Sequence, residues 1–299
     1  MQVGVIDSNK EPVLSIKNGD EVVLSTWGHW GNNVTKETQV ADFPEIKNKF
    51  PNALGPHSIT GPIEIIGAEP GDALAVEILD LRTVDHGFNL VVAAPLGRGV
   101  LHERFDKARI RHFKLDRETM STDLAGKVTI PLRPFLGIMG VAPLSKQPMS
   151  TVEPGAFGGN IDLSELVVGT TLILPVFKPG ALFYCGDAHA VQGDGEVNQT
   201  AIETAMEKAH LRFSVMKNVN INNPRVLTST HRITTGFGAN LEEAAKQAVS
   251  DLVDWLVSEG FEEGDAYALC SILADVRVTQ MVNRVVGVHA MLENLHFLK

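Results

Sequence analysis

Cysteine is scarce in this chain. Cys185 and Cys270 are the only two among 299 residues, and they do not form a CxxC pair. A zinc knuckle and a thioredoxin motif are therefore excluded. A single disulfide remains open, but two separate thiols in a chain of this length favour a reducing compartment. The residues after Met1 lack a basic segment followed by a long apolar one, so they do not resemble a signal peptide, and we expect a cytoplasmic protein.

Positive charge, aromatic residues and long apolar runs are also scarce. Lys and Arg total 26 against 36 Asp and Glu, which gives a net charge of −10. An acidic surface repels phosphate groups, so nucleic acids and anionic membranes are poor partners. No run of about 18 uncharged apolar residues occurs, so we expect no membrane span. Hydrophobic residues make up 44% of the chain and aromatic residues 6%, so the core must consist mainly of aliphatic side chains.

Short apolar runs separated by turn sequences fill residues 1–125. Runs at residues 12–16, 21–25, 63–66 and 73–79 are separated by Asn-Gly-Asp and Glu-Pro-Gly-Asp turns. In the last of these runs, apolar residues alternate with a mixed set, as a half-buried strand requires. The spacing predicts a β-sandwich-like part over residues 1–125.

The same pattern continues over residues 126–205. Strand candidates lie at residues 127–130, 136–142 and 170–176, and glycine and proline are frequent between them. Strands this short, separated by turns, are typical of small barrels. We predict a β-barrel-like part over residues 126–205.

Helical periodicity is confined to the last third of the chain, residues 206–299. Ala, Val and Leu side chains between residues 241 and 259 form one apolar stripe. Asn240 and Glu243 match a capping box, and Gly260 follows at the expected stop. The other elements predicted here are a second helix and two flanking strands, over residues 264–276, 210–216 and 226–230. The predicted fold is therefore mainly β, with a β-sandwich, a small β-barrel and an α/β C-terminal layer.

Residues 186–196, with the sequence GDAHAVQGDGE, place three carboxylates and one imidazole close together after a predicted strand at 181–184. In a strand, Asp187 and His189 would lie on the same face because they are two residues apart. Imidazole together with carboxylate suits Zn²⁺ or a similar divalent ion. The alternative is a solvated acidic turn, because a bare Asp-X-His is common.

The second half of this segment carries Gln192, Asp194 and Glu196. Its glycines allow a tight backbone turn, by which Asp194 or Glu196 could approach the same point as His189. The added acids favour the metal-site interpretation without removing the alternative.

Two further segments offer functional groups. His57 lies between two Gly-Pro turns, at an element boundary where functional side chains are often displayed. That segment alone favours a histidine that bonds to its own loop. In the GGNID segment at 158–162, backbone amides could stabilise an oxyanion and Asn160 could orient a carbonyl. An ordinary glycine-rich loop is the alternative there.

Some residues are left with two interpretations. His29 lies in the Trp-Gly-His-Trp segment at 27–30, which either lines a pocket or fills the core. Cys185 precedes Gly-Asp and is either a nucleophile or a small buried residue. Four histidines have no clustered partners and look structural, namely His102, His112, His210 and His296.

The order of these segments is typical of one family. They are HSITGPI at 57–63, AEPGDAL at 68–74, GGNID at 158–162, LPVF at 174–177, PGALF at 179–183 and GDAHAVQGDGE at 186–196. From about residue 10 to about residue 285, the chain resembles the short bacterial and archaeal members of the acetamidase/formamidase family. Each segment alone is weak, but the ordered set is specific. The segment at 27–30 matches no motif of the family.

The resemblance implies a mainly β fold and the hydrolysis of formamide, acetamide or a related small linear amide. It also implies a homo-oligomer, a homodimer or larger. A divalent metal is implied as well, with zinc favoured and calcium as the alternative. Carried over by position, the expected metal ligands are His57, Asp187 and His189, with Glu196 next.

On this basis the hypothesis is metal-assisted hydrolysis. A bound ion would lower the pKa of a water to about 7. Asp194 or Glu196 would carry a proton to the leaving nitrogen. Asn160 or the loop amides would hold the oxyanion. The residues expected to bind the substrate are Gly158, Gly159 and Gln192.

Two rival hypotheses remain. One is a thiol amidase with Cys185 as its nucleophile. The other is a non-catalytic β binding module whose Gly-Asp-Gly-Glu loop holds a structural Ca²⁺ through oxygen ligands alone. A site that contains histidine would disfavour the second rival.

Overall fold

β-strands dominate the chain in a computed structural model that describes residues 1–294. The strands of the first half are β1 (Gln2–Val3), β2 (Val5–Ile6), β3 (Leu14–Ile16), β4 (Glu21–Leu24), β5 (Ser58–Ile65), β6 (Ala73–Thr83), β7 (His86–Val91), β8 (Arg109–Lys114), β9 (Ser121–Leu124), β10 (Val128–Pro131), β11 (Phe135–Gly140) and β12 (Met149–Ser150). Those of the second half are β13 (Gly158–Asn160), β14 (Thr171–Pro175), β15 (Phe183–Val191), β16 (Ile202–Thr204), β17 (Met206–Met216), β18 (Arg225–Leu227), β19 (His231–Gly238), β20 (Asp275–Gln280) and β21 (Val286–Glu293). The helices are α1 (His29–Asn32), α2 (Phe43–Asn48), α3 (Leu241–Ser258) and α4 (Glu263–Leu273), with 3₁₀ turns at Val40–Asp42 and His102–Arg104.

The first large sheet has nine strands and is organised around β15. Its main order is β1-β5-β15-β16-β7-β8, with β11 added beside β15, β13 beside β11 and β3 beside β5. Along one edge, β15 pairs first with β5, where Gly186 lies opposite Ile59, and then with β16, where Ala188 lies opposite Thr204. The other edge pairs with β11. Asp187 therefore lies where the partner strand changes.

The second large sheet has eight strands in the order β20-β21-β19-β18-β14-β6-β17-β4. The two sheets curl into a half-barrel, and their facing side chains form the main core. Phe183 of the first sheet and Phe213 of the second meet edge to face, with ring centroids 5.0 Å apart. This core fixes the sheet that carries the 186–196 segment.

The predicted C-terminal helix is confirmed as α3. The Asn240 side chain accepts a hydrogen bond from the amide of Glu243, as the capping box requires. Ala244, Ala248 and Leu252 lie on the buried face, as the periodicity predicts. The helix packs on β19, where Gly236 lies so close that a Cβ would be 2.0 Å from the Ala244 carbonyl oxygen.

The fold class predicted from the sequence is confirmed: the structure is mainly β, with helices near its C-terminal end. The division into parts at 1–125, 126–205 and 206–299 stays a prediction. The strands of those stretches intermix, because β5, β15 and β17 each join strands from other stretches. The second C-terminal helix ends at Leu273, before the predicted residue 276, because Ala274 adopts an extended conformation and β20 begins at Asp275.

Two local predictions differ from the structure. The sequence predicts a strand at 181–184 and leaves Asp187 and His189 either in a strand or in an acidic turn, whereas β15 begins at Phe183 and continues through both residues to Val191. The sequence places the glycines of the GGNID segment in a loop, but its first three residues form β13 beside β11. His296 lies outside the described residues. No helix within residues 1–294 combines the length and the apolar character needed to cross a membrane.

Candidate active site

Three imidazoles and two carboxylates converge where β15 changes partners. Asp187 and His189 come from β15, Glu203 from β16 and His29 from α1, and His57 is the residue directly before β5. None of the five is more than 9% exposed. Strand pairing brings Glu203 directly opposite His189, so β16 supplies its carboxylate from across the ladder.

The distances among these side chains are those of a shared binding point. His189 Nε2 lies 3.1 Å from Glu203 Oε2 and 3.6 Å from Asp187 Oδ2. The Nε2 atoms of His57 and His29 each lie 3.9 Å from an oxygen of Asp187. His29 Nδ1 is 3.6 Å from Glu203 Oε2. Most of these separations exceed hydrogen-bond length, which leaves room between the donor atoms.

Two more carboxylates, Asp162 and Glu196, adjoin this cluster. Asp162 Oδ1 lies 3.8 Å from His189 Nδ1, and one oxygen of Glu196 falls within 4.8 Å of both residues. Asn283 Nδ2 donates to Asp162 Oδ2 at 2.5 Å. Asn160 is buried beside them, and its Nδ2 donates to the carbonyl of Val152 at 3.2 Å.

Backbone conformation positions three of the acids. Asp162, Asp187 and Glu196 have φ values of 52°, 52° and 44°, in the left-handed region that side-chain-bearing residues seldom occupy. Strained backbone of this kind is concentrated at functional sites.

Gly137 of β11 lies beneath the acids. A Cβ there would be 2.4 Å from Asp162 Oδ1 and 2.9 Å from Asp187 Oδ2. The absence of a side chain at this position therefore leaves the space that the carboxylates occupy.

Burial and neighbouring charges strongly shift the pKa values of His57 and His189. Burial lowers the pKa of His57 to about 4, although Asp187 acts in the opposite direction. Burial also lowers the pKa of His189, but Glu203 and Asp187 raise it more, so that the net pKa lies well above its usual value. The neighbouring carboxylates thus favour a positive charge at this point.

The pKa values of the acidic side chains are shifted in opposite directions. Burial raises the pKa of Asp187, but His57 and His189 lower it more, and the carboxylate is held ionised. Burial raises the pKa of Asp162 to about 7. For Glu196, burial and the charge of Asp162 together raise the pKa well above its usual value. Acids with divergent pKa values in one cleft are typical of active sites.

Several buried atoms of the cluster have no hydrogen-bond partner within the described chain. They are Asp187 Oδ1, Glu203 Oε2, Glu196 Oε2, Asp162 Oδ1 and His189 Nδ1. Three overlapping groups could hold a metal ion: His29–His57–Asp187, Asp187–His189–Glu203 and Asp162–His189–Glu196. In residues 1–294 the ion-pair partners of Asp162, Asp187 and Glu203 are imidazoles, not Lys or Arg. A divalent cation fits this donor set and would compensate its negative charge.

A cavity of about 630 Å³ opens directly above the cluster. Its polar floor includes His29, His57, Asp187 and Glu203, with Asn160 at the side. Apolar side chains from α1, α2, β7 and the following loop form much of the wall. A small molecule that enters this cavity therefore meets the carboxylates and imidazoles that line it.

The structure places four of the expected residues in the overlapping donor groups, namely His57, Asp187, His189 and Glu196. Asn160 lines the same cavity. Asp194 lies apart from them: it is exposed, and it accepts a hydrogen bond from Ser164 Oγ at 3.2 Å. The proton-carrying role predicted for Asp194 has no support in this position.

The three residues expected to bind substrate are placed behind the cavity wall. Gln192 Nε2 donates to the carbonyl of Asp162 at 2.8 Å, so Gln192 holds the Asp162 backbone. Gly158 and Gly159 lie in β13, and the Gly158 amide donates to the Gly155 carbonyl. None of the three is among the cavity-lining residues, so their role in substrate binding stays a prediction.

The rival hypotheses are disfavoured by this geometry. Cys185 is fully buried and does not line the cavity, and burial raises the pKa of its thiol to about 12. A thiol in that state is a poor nucleophile. An all-oxygen calcium cage is disfavoured because each candidate metal group contains at least one imidazole.

Sequence reasoning missed or left open the contributions of His29 and Glu203. His29 has an unusual setting between two tryptophans, which left its role undecided. Glu203 is the one charged residue in the segment TAIETAM at 200–206, whose other residues suit a buried strand. An isolated carboxylate in a segment that reads as a buried strand is the signal that could have identified it.

A cavity lined by buried titratable side chains with shifted pKa values is the feature by which a candidate active site is recognised. The model of the acetamidase/formamidase family matches residues 8–150 and 144–292, nearly the whole chain. The chain belongs to the acetamidase/formamidase family, a family of amidohydrolases.

Solved structures agree with this assignment. The acetamidase of Bacillus halodurans superposes with a TM-score of 0.87 at 29% identity, over 97% of this chain and 94% of that chain. The acetamidase of Yersinia enterocolitica gives 0.85 at 31% identity, over 97% and 88%. In sequence, the formamidase of Methylophilus methylotrophus is 28% identical in an alignment that covers 80% of this chain and 72% of that protein.

Proposed function

We propose that this chain hydrolyses a linear carboxamide to a carboxylate and ammonia, with a zinc ion bound at Asp187. The observation that carries the proposal is the convergence of three imidazoles and two carboxylates on the floor of the cavity. The relatives named acetamidase and formamidase supply the substrate class.

Asp187 is the central ligand of this proposal because it is the residue that the group with His29 and His57 shares with the group that contains Glu203. His29 and His57 complete one group, and His189 and Glu203 complete the other. Mixed nitrogen and oxygen donors of this kind suit zinc. When bound, a zinc ion supplies Lewis acidity, which polarises a carbonyl and lowers the pKa of a water.

Two hydrogen bonds orient the donors. His57 Nδ1 shares a hydrogen bond of 3.0 Å with Thr151 Oγ1, which leaves Nε2 directed at Asp187. Glu203 Oε1 accepts from the amide of Ala201 at 2.9 Å, which leaves Oε2 free toward His189. Partners of this type fix the tautomer and the direction of a ligand.

Asn160 is suited to hold the substrate nitrogen. Its Nδ2 already donates to Val152, so the atom without a partner is the acceptor Oδ1. An acceptor binds the NH₂ group of an amide, not a developing oxyanion. This role replaces the oxyanion role that the sequence suggested for Asn160.

Glu196 is suited to carry the proton. It is buried, it lines the cavity and its Oε2 has no partner in the described chain. Water adds its oxygen to the carbonyl carbon, and the protonated Glu196 gives its proton to the nitrogen and takes up the proton that the water loses. The C–N bond then breaks, and ammonia and the carboxylate leave.

Metal removal tests the proposal. Purified protein is assayed for ammonia release from acetamide and formamide before and after chelation, and its zinc content is measured alongside. We expect activity to fall with zinc and to return when zinc is added back. Full activity in protein free of divalent metal would contradict the metal-assisted mechanism, and no ammonia from any amide would contradict amide hydrolysis itself.

A further inference from the structure

The cavity above the cluster is larger than the smallest amides require. Its volume of about 630 Å³ lies within the range that holds ligands of drug-like size. Formamide and acetamide carry at most one carbon beyond the carbonyl. Bound at the floor, beside Asp187 and Asn160, such a molecule would leave most of the cavity to water.

We propose that the preferred substrates are primary amides with a bulky apolar acyl group, aromatic or aliphatic, of about six to eight carbons. This inference rests on the proposed amide hydrolysis and specifies its substrate class. The amide group lies on the polar floor, and the acyl group fills the space above it.

The wall nearest the floor is aromatic and firmly packed. Phe88 contacts the His29 ring edge to face, with centroids 5.6 Å apart. Trp30, next to His29, is 9% exposed and packs against Phe50 at 6.1 Å. An acyl chain that extends from the floor therefore meets ring surface within a few ångströms of the reacting carbon.

The outer wall is also apolar. Leu90 and Val92 continue from β7 on one side, and Phe43 faces the same cavity from α2. Leu54, at the mouth, is 50% exposed. When an apolar ligand covers solvent-exposed apolar surface in a pocket, the removal of that surface from water favours binding.

The distribution of charge in the cavity also favours a neutral, apolar acyl group. Acidic groups occupy the floor, and Arg284 at the side is already paired with Glu153 at 2.7 Å. The other basic residues of the lining, Lys47 and Arg98, are exposed to solvent. The basic side chains of the lining are thus either paired or exposed to solvent, which fits a neutral acyl group better than an anionic one.

The size of the effect can be estimated. Each buried methylene contributes about 0.8 kcal/mol, or roughly a factor of four in binding. Four or more added carbons in contact with the wall should therefore raise kcat/KM well beyond tenfold over acetamide, where the added binding is retained in the transition state.

A substrate series tests the inference with the zinc-loaded protein. We would measure ammonia release from acetamide, propionamide, hexanamide, cyclohexanecarboxamide and phenylacetamide, and from succinamate as an anionic amide. We expect kcat/KM for hexanamide or phenylacetamide to exceed that for acetamide by at least about tenfold. Equal values, a preference for acetamide or a preference for succinamate would overturn the inference while amide hydrolysis stands. No ammonia from any amide would overturn both.

A cavity-filling variant provides a second test of the proposed substrate class. Val92→Phe places a larger side chain on the cavity wall, and Val23→Phe is the matched control on the exposed face of β4. We expect the ratio of kcat/KM for phenylacetamide to that for acetamide to fall about tenfold or more in Val92→Phe and to keep its wild-type value in Val23→Phe. An unchanged ratio in Val92→Phe, or an equal fall in both variants, would contradict the proposal.

Discussion

Glu203 connects the two histidine groups of the site. Its Oε2 lies 3.1 Å from His189 and 3.6 Å from His29, while its Oε1 is held by the Ala201 amide. A carboxylate fixed at one oxygen and open at the other is well placed to bind a cation.

The change Glu203→Gln tests this position. It removes the negative charge but keeps the shape, so we expect zinc content to fall and kcat/KM for amide hydrolysis to drop about 100-fold or more. Glu207→Gln is the control, because Glu207 is exposed and pairs with Arg117 at the surface. Zinc content and activity equal to the wild type in Glu203→Gln would remove Glu203 from the site.

Thr151 contacts the site through His57. The change Thr151→Val removes the hydroxyl that contacts His57 Nδ1 at 3.0 Å, and it preserves the side-chain shape. We expect kcat/KM to fall about 10- to 100-fold, with weaker zinc retention under chelation.

Thr170→Val is the matched control for that experiment. Thr170 is also buried, and its hydroxyl donates to the Val167 carbonyl at 2.7 Å, away from the cavity. If both valine variants lost activity and thermal stability equally, Thr151 would be structural and would not position His57.

Gly137 is required by the space that the acids occupy. The change Gly137→Ala would place a Cβ 2.4 Å from Asp162 Oδ1, so the carboxylates must move. We expect a loss of zinc and of activity, together with a stability cost of about 1–3 kcal/mol. Gly264→Ala in α4 is the control, because the atom nearest its added Cβ is the flexible end of Glu262, 3.0 Å away. Wild-type zinc content in Gly137→Ala would contradict this account.

The sequence allowed only part of the site to be predicted. Asp187, His189 and Glu196 are predicted from one segment that combines an imidazole with several acids between glycines. His57 is predicted only through the family resemblance, because its own segment favours a histidine that bonds to its loop. Glu203 is not predicted, because a single acid in an apolar run becomes significant only when β16 pairs with β15. Convergence that depends on long-range strand pairing leaves no local pattern in the chain.

At the scale of elements, β15 and α3 differ in how well local pattern predicts them. The helix α3 has its own cap, periodicity and stop, so its bounds follow from nearby residues. In β15, Gly186 and Asp187 resemble a turn, yet pairing with β11 on one edge keeps the strand continuous through the site. Tertiary pairing overrides β-propensity here.

The cap of α3 gives a prediction at this scale. Asn240→Ala removes the acceptor for the Glu243 amide, and we expect the free energy of unfolding in urea to fall by about 1 kcal/mol. Amide hydrolysis should not change, because α3 packs on β19 and β21, away from the cavity. Asn52→Ala, an exposed asparagine outside any helix, is the matched control. An equal loss of stability in both variants would show that the cap contributes nothing.

For the whole molecule, composition and the order of the sequence segments predict a mainly β fold. They do not predict the order of the strands in the two large sheets. Each sheet joins strands that are far apart in the chain, as with β5 and β15 in one sheet and β4 and β17 in the other. Such pairings depend on which faces bury each other in the core. The homo-oligomer and the cytoplasmic location stay predictions, and light scattering of the purified protein would determine the oligomer.

The central claim is that a zinc ion binds between the histidines and Asp187 on the cavity floor. Anomalous diffraction on either side of the zinc absorption edge, from crystals of active protein, tests it most directly. We predict a zinc peak with nitrogen and oxygen ligands at about 2.0–2.2 Å, among them Asp187 and at least one of His57 and His189. Crystals of protein that releases ammonia from amides, with no anomalous peak within reach of Asp187, would contradict the claim.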